Sequence, residues 1–161
     1  MAVQKPLVLI GGQIQQIPAG DTLSAASSEV DVVSKVNGNA GTIVICTPVY
    51  PSSNTAVDKA SAGASGTKKV LGLMQSASTA SAASGLVQTD GVLTATTGQW
   101  DAVAGTTGGL TAGTIYYLSA TAGLLTATAP SASGNYVCAV GLALSTTELD
   151  IDVDINGVLL A

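Results

Sequence analysis

The stretch Ala112–Leu159, AGTIYYLSATAGLLTATAPSASGNYVCAVGLALSTTELDIDVDINGVL, decides how the chain is read, because a degenerate copy of it runs earlier. Ala112-Gly-Thr-Ile115 recurs letter for letter as Ala40-Gly-Thr-Ile43, and Ala132-Ser-Gly134 recurs as Ala64-Ser-Gly66. Val140-Gly-Leu142 answers Leu71-Gly-Leu73, and Asn156-Gly-Val-Leu159 answers Asp90-Gly-Val-Leu93. Any one match in an Ala/Gly/Thr-rich chain could arise by chance; four in the same order indicate a duplication. Pseudo-repeats spanning about 40–93 and 112–159 are expected.

Each copy reads as short strands. Leu149 to Ile155 alternates strictly, with Leu149, Ile151, Val153 and Ile155 on one face and Asp150, Asp152 and Asp154 on the other, the pattern of a half-buried strand. Tyr136–Leu144 and Lys68–Gln75 are strands interrupted at corresponding places by Gly141 and Gly72. A glycine inside a strand costs stability, so its recurrence points to a bulge or a close backbone approach. Thr114–Ser119 carries Tyr116 and Tyr117, which must point to opposite faces. Leu124–Thr128 is a further strand.

Working outward, Leu86–Thr89, Asp90-Gly91 and Val92–Thr96 read as strand, tight turn and strand. Gln99–Gly109 separates the copies and carries Trp100, and Ser76–Gly85 is a low-complexity loop. Glu29–Val36 is a β-branched strand, Asn37-Gly38 a turn, and Thr42–Thr47 a strand broken by Pro48–Ser53. Thr55–Ala62 allows a turn or two of helix before the loop Ser61–Thr67. Residues 1–23 differ from all of this. Leu7, Val8, Leu9 and Ile10 precede Gly11-Gly12, and Ile14 and Ile17 precede Pro18-Ala-Gly20, which describes an extended arm or hairpin. About ten short strands without a long helical period give an all-β fold, a compact antiparallel barrel or sandwich of two degenerate repeats. The arm (1–23) precedes a single β-domain (24–161).

Composition narrows the function classes. At 161 residues the chain can bury roughly two-thirds of its unfolded surface. Charged residues are only 9%, and mean hydropathy is +0.48, which excludes a charge-rich disordered chain. No apolar run approaches the ~20 residues of a spanning helix, so no membrane partner is expected. The start, Met-Ala-Val-Gln-Lys-Pro, lacks a signal-peptide pattern, and synthesis in the cytosol is the default expectation. There is no Phe and one Trp, so the core must be thin and aliphatic, and burial against other chains is favoured over a free monomer. A homotrimer with a seam of Val, Ile, Leu and Ala is expected. The five lysines (Lys5, Lys35, Lys59, Lys68, Lys69) all precede Val70, and no electrostatic footprint for nucleic acid is present.

Catalytic chemistry has few residues to work with: eight aspartates and two glutamates leave a carboxylate pair for glycoside chemistry open, but nothing singles out a pair. The chain has no histidine, hence no Ser-His or Cys-His arrangement, and no phosphate-binding glycine loop. No catalytic, cofactor-binding or metal residue is assigned, and no cofactor is expected. Asp152-x-Asp154-x-Asn156-Gly157 matches the first half of a calcium loop, but the chain ends before the twelfth position that should supply the bidentate acid. A solvated acidic strand face is the preferred reading, with calcium shared between subunits as the residual one. Cys46 and Cys138 are read as buried thiols rather than a disulfide. Trp100 is a candidate plug of the core or of a subunit seam; beside Asp101 it is also a candidate sugar contact.

Two stretches carry a resemblance. The segment LVLIGGQIQQIPAGDTL, Leu7 to Leu23, resembles the opening segment of many tailed-bacteriophage fibre and head-associated proteins. GLTAGTIYYL (Gly109–Leu118), with Gly123-Leu-Leu-Thr126 and Val140-Gly-Leu-Ala-Leu-Ser145, is similar to small β-domains of the same virion proteins. The resemblance implies a non-enzymatic virion structural protein, a capsid decoration (cement) protein or a fibre segment, often trimeric. A full-length fibre would be longer, so the expectation is a decoration protein on the capsid surface that binds the major capsid protein and stabilises the assembled head. Leu7, Val8, Leu9, Ile10, Ile14 and Ile17 are the candidate docking arm. The alternative is a fibre or adhesin segment that binds host-surface carbohydrate through Trp100. A depolymerase is disfavoured by the missing histidine and unpaired acids.

Overall fold

The structure is a computed structural model that describes the backbone of 7–10 and 13–16 and residues 30–154 and 156–161 in full. Strands β1 (Leu7–Ile10) and β2 (Gln13–Gln16) pair antiparallel as a two-stranded sheet of their own. β1 and β2 are thus paired as the two strands of a hairpin. Next come β3 (Val32–Asn37), β4 (Ile43–Val44), β5 (Pro48–Pro51), β6 (Ala56–Lys59), β7 (Gly72–Met74), β8 (Ser78–Thr79) and β9 (Ser84–Gln88). The second half holds β10 (Gly91–Thr94), helix α1 (Thr97–Ala104), β11 (Ile115–Leu118), β12 (Leu125–Thr126), β13 (Tyr136–Val137), β14 (Ala139–Ala143), β15 (Glu148–Ile151) and β16 (Val158–Leu159).

The fold is all-β, and the duplication appears in its strand order. The first unit is a closed barrel in which β3, β9, β7, β5 and β6 are successive neighbours; the second is an open sheet, β10-β15-β14-β11-β12, with the same order. Registers agree as well. Val49 lies opposite Gly72 as Tyr116 lies opposite Gly141, and Pro48 opposite Leu73 as Ile115 opposite Leu142. Leu73 faces Gln88 as Leu142 faces Asp150, and Val33 faces Val87 as Leu93 faces Leu149. Gly72 and Gly141 are therefore equivalent, and for one reason. A Cβ at Gly72 would run into the carbonyl oxygen of Gln88, and one at Gly141 into that of Asp150, the residue in the same register position. The expected close backbone approach is present in both units.

Several expectations are corrected. The barrel is not wholly antiparallel: β3 and β6 pair in parallel through Val36–Ala56 and Asn37–Val57. A ring of five strands cannot alternate direction all the way round, so closure requires at least one parallel pair. Pro48–Ser53 does not break a strand; Pro48–Pro51 is β5, with the prolines at its two ends where a missing N–H is tolerated. Thr55–Ala62 holds β6 rather than helix, and Ser78–Thr79 in the expected loop pairs with β4. Asp90-Gly91 is not a hairpin turn, because β9 belongs to the barrel and β10 to the second sheet. Two of the four sequence matches do not correspond in the fold: Ile43 lies in β4, paired with β8, whereas Ile115 lies in β11, the counterpart of β5; and Asp90-Gly-Val-Leu93 opens the second sheet as β10, whereas Val158–Leu159 is β16, paired with β13. Unit limits of 40–93 and 112–159 consequently differ from the strand-order units. The regular strand from Leu149 ends at Ile151; Ile155 lies outside the described residues.

Two clusters form the interior. Val49, Val57, Met74 and Val87, with Ile43, fill the barrel. The larger cluster joins the barrel's other face (Cys46, Ala60, Ala62, Val70, Leu73) to the second sheet (Leu93, Tyr116, Val140, Leu149, Ile151) and to Trp100 and Val103 of α1. Tyr116 is fully buried and Tyr117 partly exposed, as adjacent strand residues require. Buried Asn37 ties the end of β3 to its neighbours: Nδ2 donates to the carbonyls of Gly41 (2.9 Å) and Thr79 (2.8 Å), and Oδ1 accepts from Asn39 N–H (2.8 Å).

The glycine contacts lead to a direct test. Gly72→Ala and Gly141→Ala must each push a backbone carbonyl aside, at a cost of about 1–3 kcal/mol or more. Gly66→Ala, where nothing lies within 4 Å of the added Cβ, should change stability by less than ~0.5 kcal/mol. Denaturant midpoints of the three variants measure the contrast.

Candidate functional site

Trp100 sits on α1, an eight-residue helix that the sequence reading placed in a spacer. Its start is a capping box: Thr96 Oγ1 accepts from Gln99 N–H, and Gln99 Oε1 accepts from Thr96 N–H (2.8 Å). Its end is Gly105 in the left-handed conformation (φ 64°), whose N–H donates to Asp101 O. The Thr96-x-x-Gln99 spacing and Gly105 were the available signals for this helix. Trp100 is 0% exposed, and its indole N–H donates to the Thr147 carbonyl at 3.0 Å. The ring plugs this chain's own core. In this arrangement neither ring face is open to solvent, and stacking a sugar needs an open ring face.

Asp101, the other half of that sugar reading, is occupied by its own loop. Oδ1 accepts from Gly109 N–H (2.8 Å) and Thr106 Oγ1 (2.9 Å), and Oδ2 from Gly108 N–H (3.0 Å). The Gly109 N–H chiefly, with Thr106 and Gly108, holds its carboxyl below the usual aspartate value against a smaller opposing effect of burial.

Both cysteines are free and buried. Burial pushes the Cys46 thiol up to about 12 and raises that of Cys138, so neither is a nucleophile at neutral pH. Along the acidic C-terminal stretch, Asp154 Oδ1 accepts from Asn156 N–H (3.0 Å). Lys68 Nζ donates to the carbonyls of Asn156 (2.7 Å) and Gly157 (3.3 Å) and lies 4.4 Å from the centre of the Tyr136 ring. Among the described residues no three His, Cys, Asp or Glu side chains gather closely enough to hold a metal ion, and no helix is long and apolar enough to cross a membrane.

Of the candidate arm, Leu7, Val8, Leu9 and Ile10 lie in β1 and Ile14 in β2, while Ile17 lies outside the described residues. What sequence reasoning missed is a set of exposed aliphatic residues on regular strands. Val32 and Leu86 project from β3 and β9 of the barrel; Ile115 and Leu142, opposite each other on β11 and β14, project from the second sheet, with Leu144 beyond. On the second sheet, a register shift between Tyr116 and Tyr117 puts Val140 in the core and leaves Leu142 outside. The repeated glycine was the one sequence signal for it. Neither the known family models nor the curated proteins contain a match to this chain.

Asp101 supplies a pH signature. With its folded value below the unfolded one of roughly 3.9, its loop contacts add stability above about pH 4, and that stability is lost as pH falls through the folded value. The melting-temperature gap between wild type and Asp101→Asn should stay constant from about pH 7 to 5 and narrow below about pH 4. A gap that is the same at every pH would contradict the assignment.

Proposed function

We propose that this chain is a non-enzymatic virion structural protein, a capsid decoration protein that docks as a homotrimer on the major capsid protein of an assembled head and reinforces it. The observation that carries the reading is the pair of aliphatic rows on regular strands, Val32 and Leu86 on the barrel and Ile115, Leu142 and Leu144 on the second sheet. Scattered exposed aliphatics are ordinary; rows on two separate sheets of one small domain suit a module held between neighbours. The hairpin Leu7–Gln16, a sheet separate from the barrel, supports a third attachment by strand addition to a capsid edge. A protein that binds only the assembled shell stabilises that shell by mass action. The sequence resemblance to tailed-phage head proteins points the same way.

Removing residues 1–20 tests this. The truncated protein is expected to melt within a few degrees of the full chain, because the barrel and second sheet lie within 30–161. It should fail to co-sediment with heads of the parent virus that lack the protein, whereas the full chain binds them and raises their disruption temperature. Loss of folding on truncation, or binding that survives it, would overturn the docking role of the hairpin.

A further inference from the structure

Within the second sheet, the outward row is the equivalent of a surface that the first unit keeps covered. Leu142 corresponds in register to Leu73, Ile115 to Pro48 and Asp150 to Gln88. In the first unit all three are buried, and Leu73 packs in one cluster with Leu93, Leu149 and Ile151 of the second unit. In the second unit Leu142 is 40% exposed, Ile115 46% and Leu144 48%. So a face that receives a β-unit of this kind inside the chain is bare one unit later. Ile115 and Leu142 line a hollow of about 260 Å³ with Asp152 at its edge, and Asp150 faces Leu142 from β15.

Charge chooses the partner. Residues 90–161 carry six acids and no cation; residues 30–89 carry four lysines against two aspartates. Lys69 is exposed at the rim of a larger hollow, about 450 Å³, lined by Pro51, Gly66, Val70 and Leu71 of the first unit and by Asn156 of the C-terminal stretch. Two second units brought face to face would crowd like charges, while a second unit on this hollow sets Asp150 and Asp152 against Lys69 around an apolar centre.

We propose that the outer face of the second unit (Ile115, Leu142 and Leu144, flanked by Asp150 and Asp152) docks head to tail on the Lys69-rimmed hollow in the first unit of another copy of this chain. The contact is heterologous, so it closes into a ring where the rotation permits. It rests on the self-association in the proposed function and is independent of attachment to a capsid.

Light scattering on the full chain tests it by complementation. Wild type should show a multiple of 15.7 kDa at micromolar concentration, falling toward one chain mass as salt rises. Leu142→Asp alone and the double variant Pro51→Asp/Lys69→Glu alone should each run as monomers that keep the wild-type circular dichroism spectrum and still unfold cooperatively, at a temperature lowered only by the lost association. Mixed one to one, they should restore a species of twice the monomer mass, since each retains the half that the other lacks. Leu144→Asp, at a still more exposed position, repeats the face test should Leu142→Asp fail to fold. A monomeric wild type, an oligomer that survives the face variants, or a mixture that stays monomeric would each overturn the proposal. Binding of the monomeric variants to heads is read separately, so failure of the virion reading leaves this result intact.

Discussion

Everything in this fold depends on two backbone contacts too close for a side chain. At Gly72 and at Gly141 the neighbouring strand's carbonyl, that of Gln88 or of Asp150, occupies the space where a Cβ would stand. The approach locks β7 against β9 and β14 against β15 in one register. A one-residue slip of a strand would exchange its two faces, sending Leu149 and Val87 outward and Asp150 inward. Register therefore determines which residues become core and which remain on the surface. The inward residues Val87 and Met74, and Leu149 and Ala143, fill the two clusters. The outward ones, Leu73 and Leu142, have different fates because only the first unit is covered by another.

The two units solve closure differently. The first closes its ring with two residue pairs between β3 and β6, in parallel, helped by the hydrogen bonds Val36 N–H to Thr55 O and Gly38 N–H to Val57 O. The second leaves β10 and β12 unpaired with each other, and α1 contributes Trp100 and Val103 to the cluster that also holds Leu93 of β10 and Leu125 of β12. In a chain with one Trp and no Phe, that residue is placed in the cluster that spans the open sheet from Leu93 of β10 to Leu125 of β12.

What could be read in the sequence was the part governed by local pattern. The alternation at Leu149–Ile151, the paired glycines and the β-branched strands all produce the elements expected of them. Pro48 was misread because a proline is judged by its missing donor, and only the sheet shows that β5 ends where that donor is not needed. Helix α1 was missed because eight residues are too few for a helical period, although its caps were present. The unit boundary moved because Asp90-Gly91 looks like a hairpin turn locally and is a crossover between sheets globally. For the candidate site, the arm was visible as apolar, strand-prone residues. The row Ile115–Leu142–Leu144 was not, since a bulge between Tyr116 and Tyr117 shifts the alternation and no single-strand pattern reports it.

Backbone NOE spectroscopy on isotope-labelled protein tests the duplicated register most directly. Gly72 should show cross-strand contacts to Val49, and Gly141 the corresponding contacts to Tyr116 on one side and Ile151 on the other. Contacts from either glycine to a different strand, or a pairing of β10 with β9 in place of β15, would contradict the common architecture of the two units.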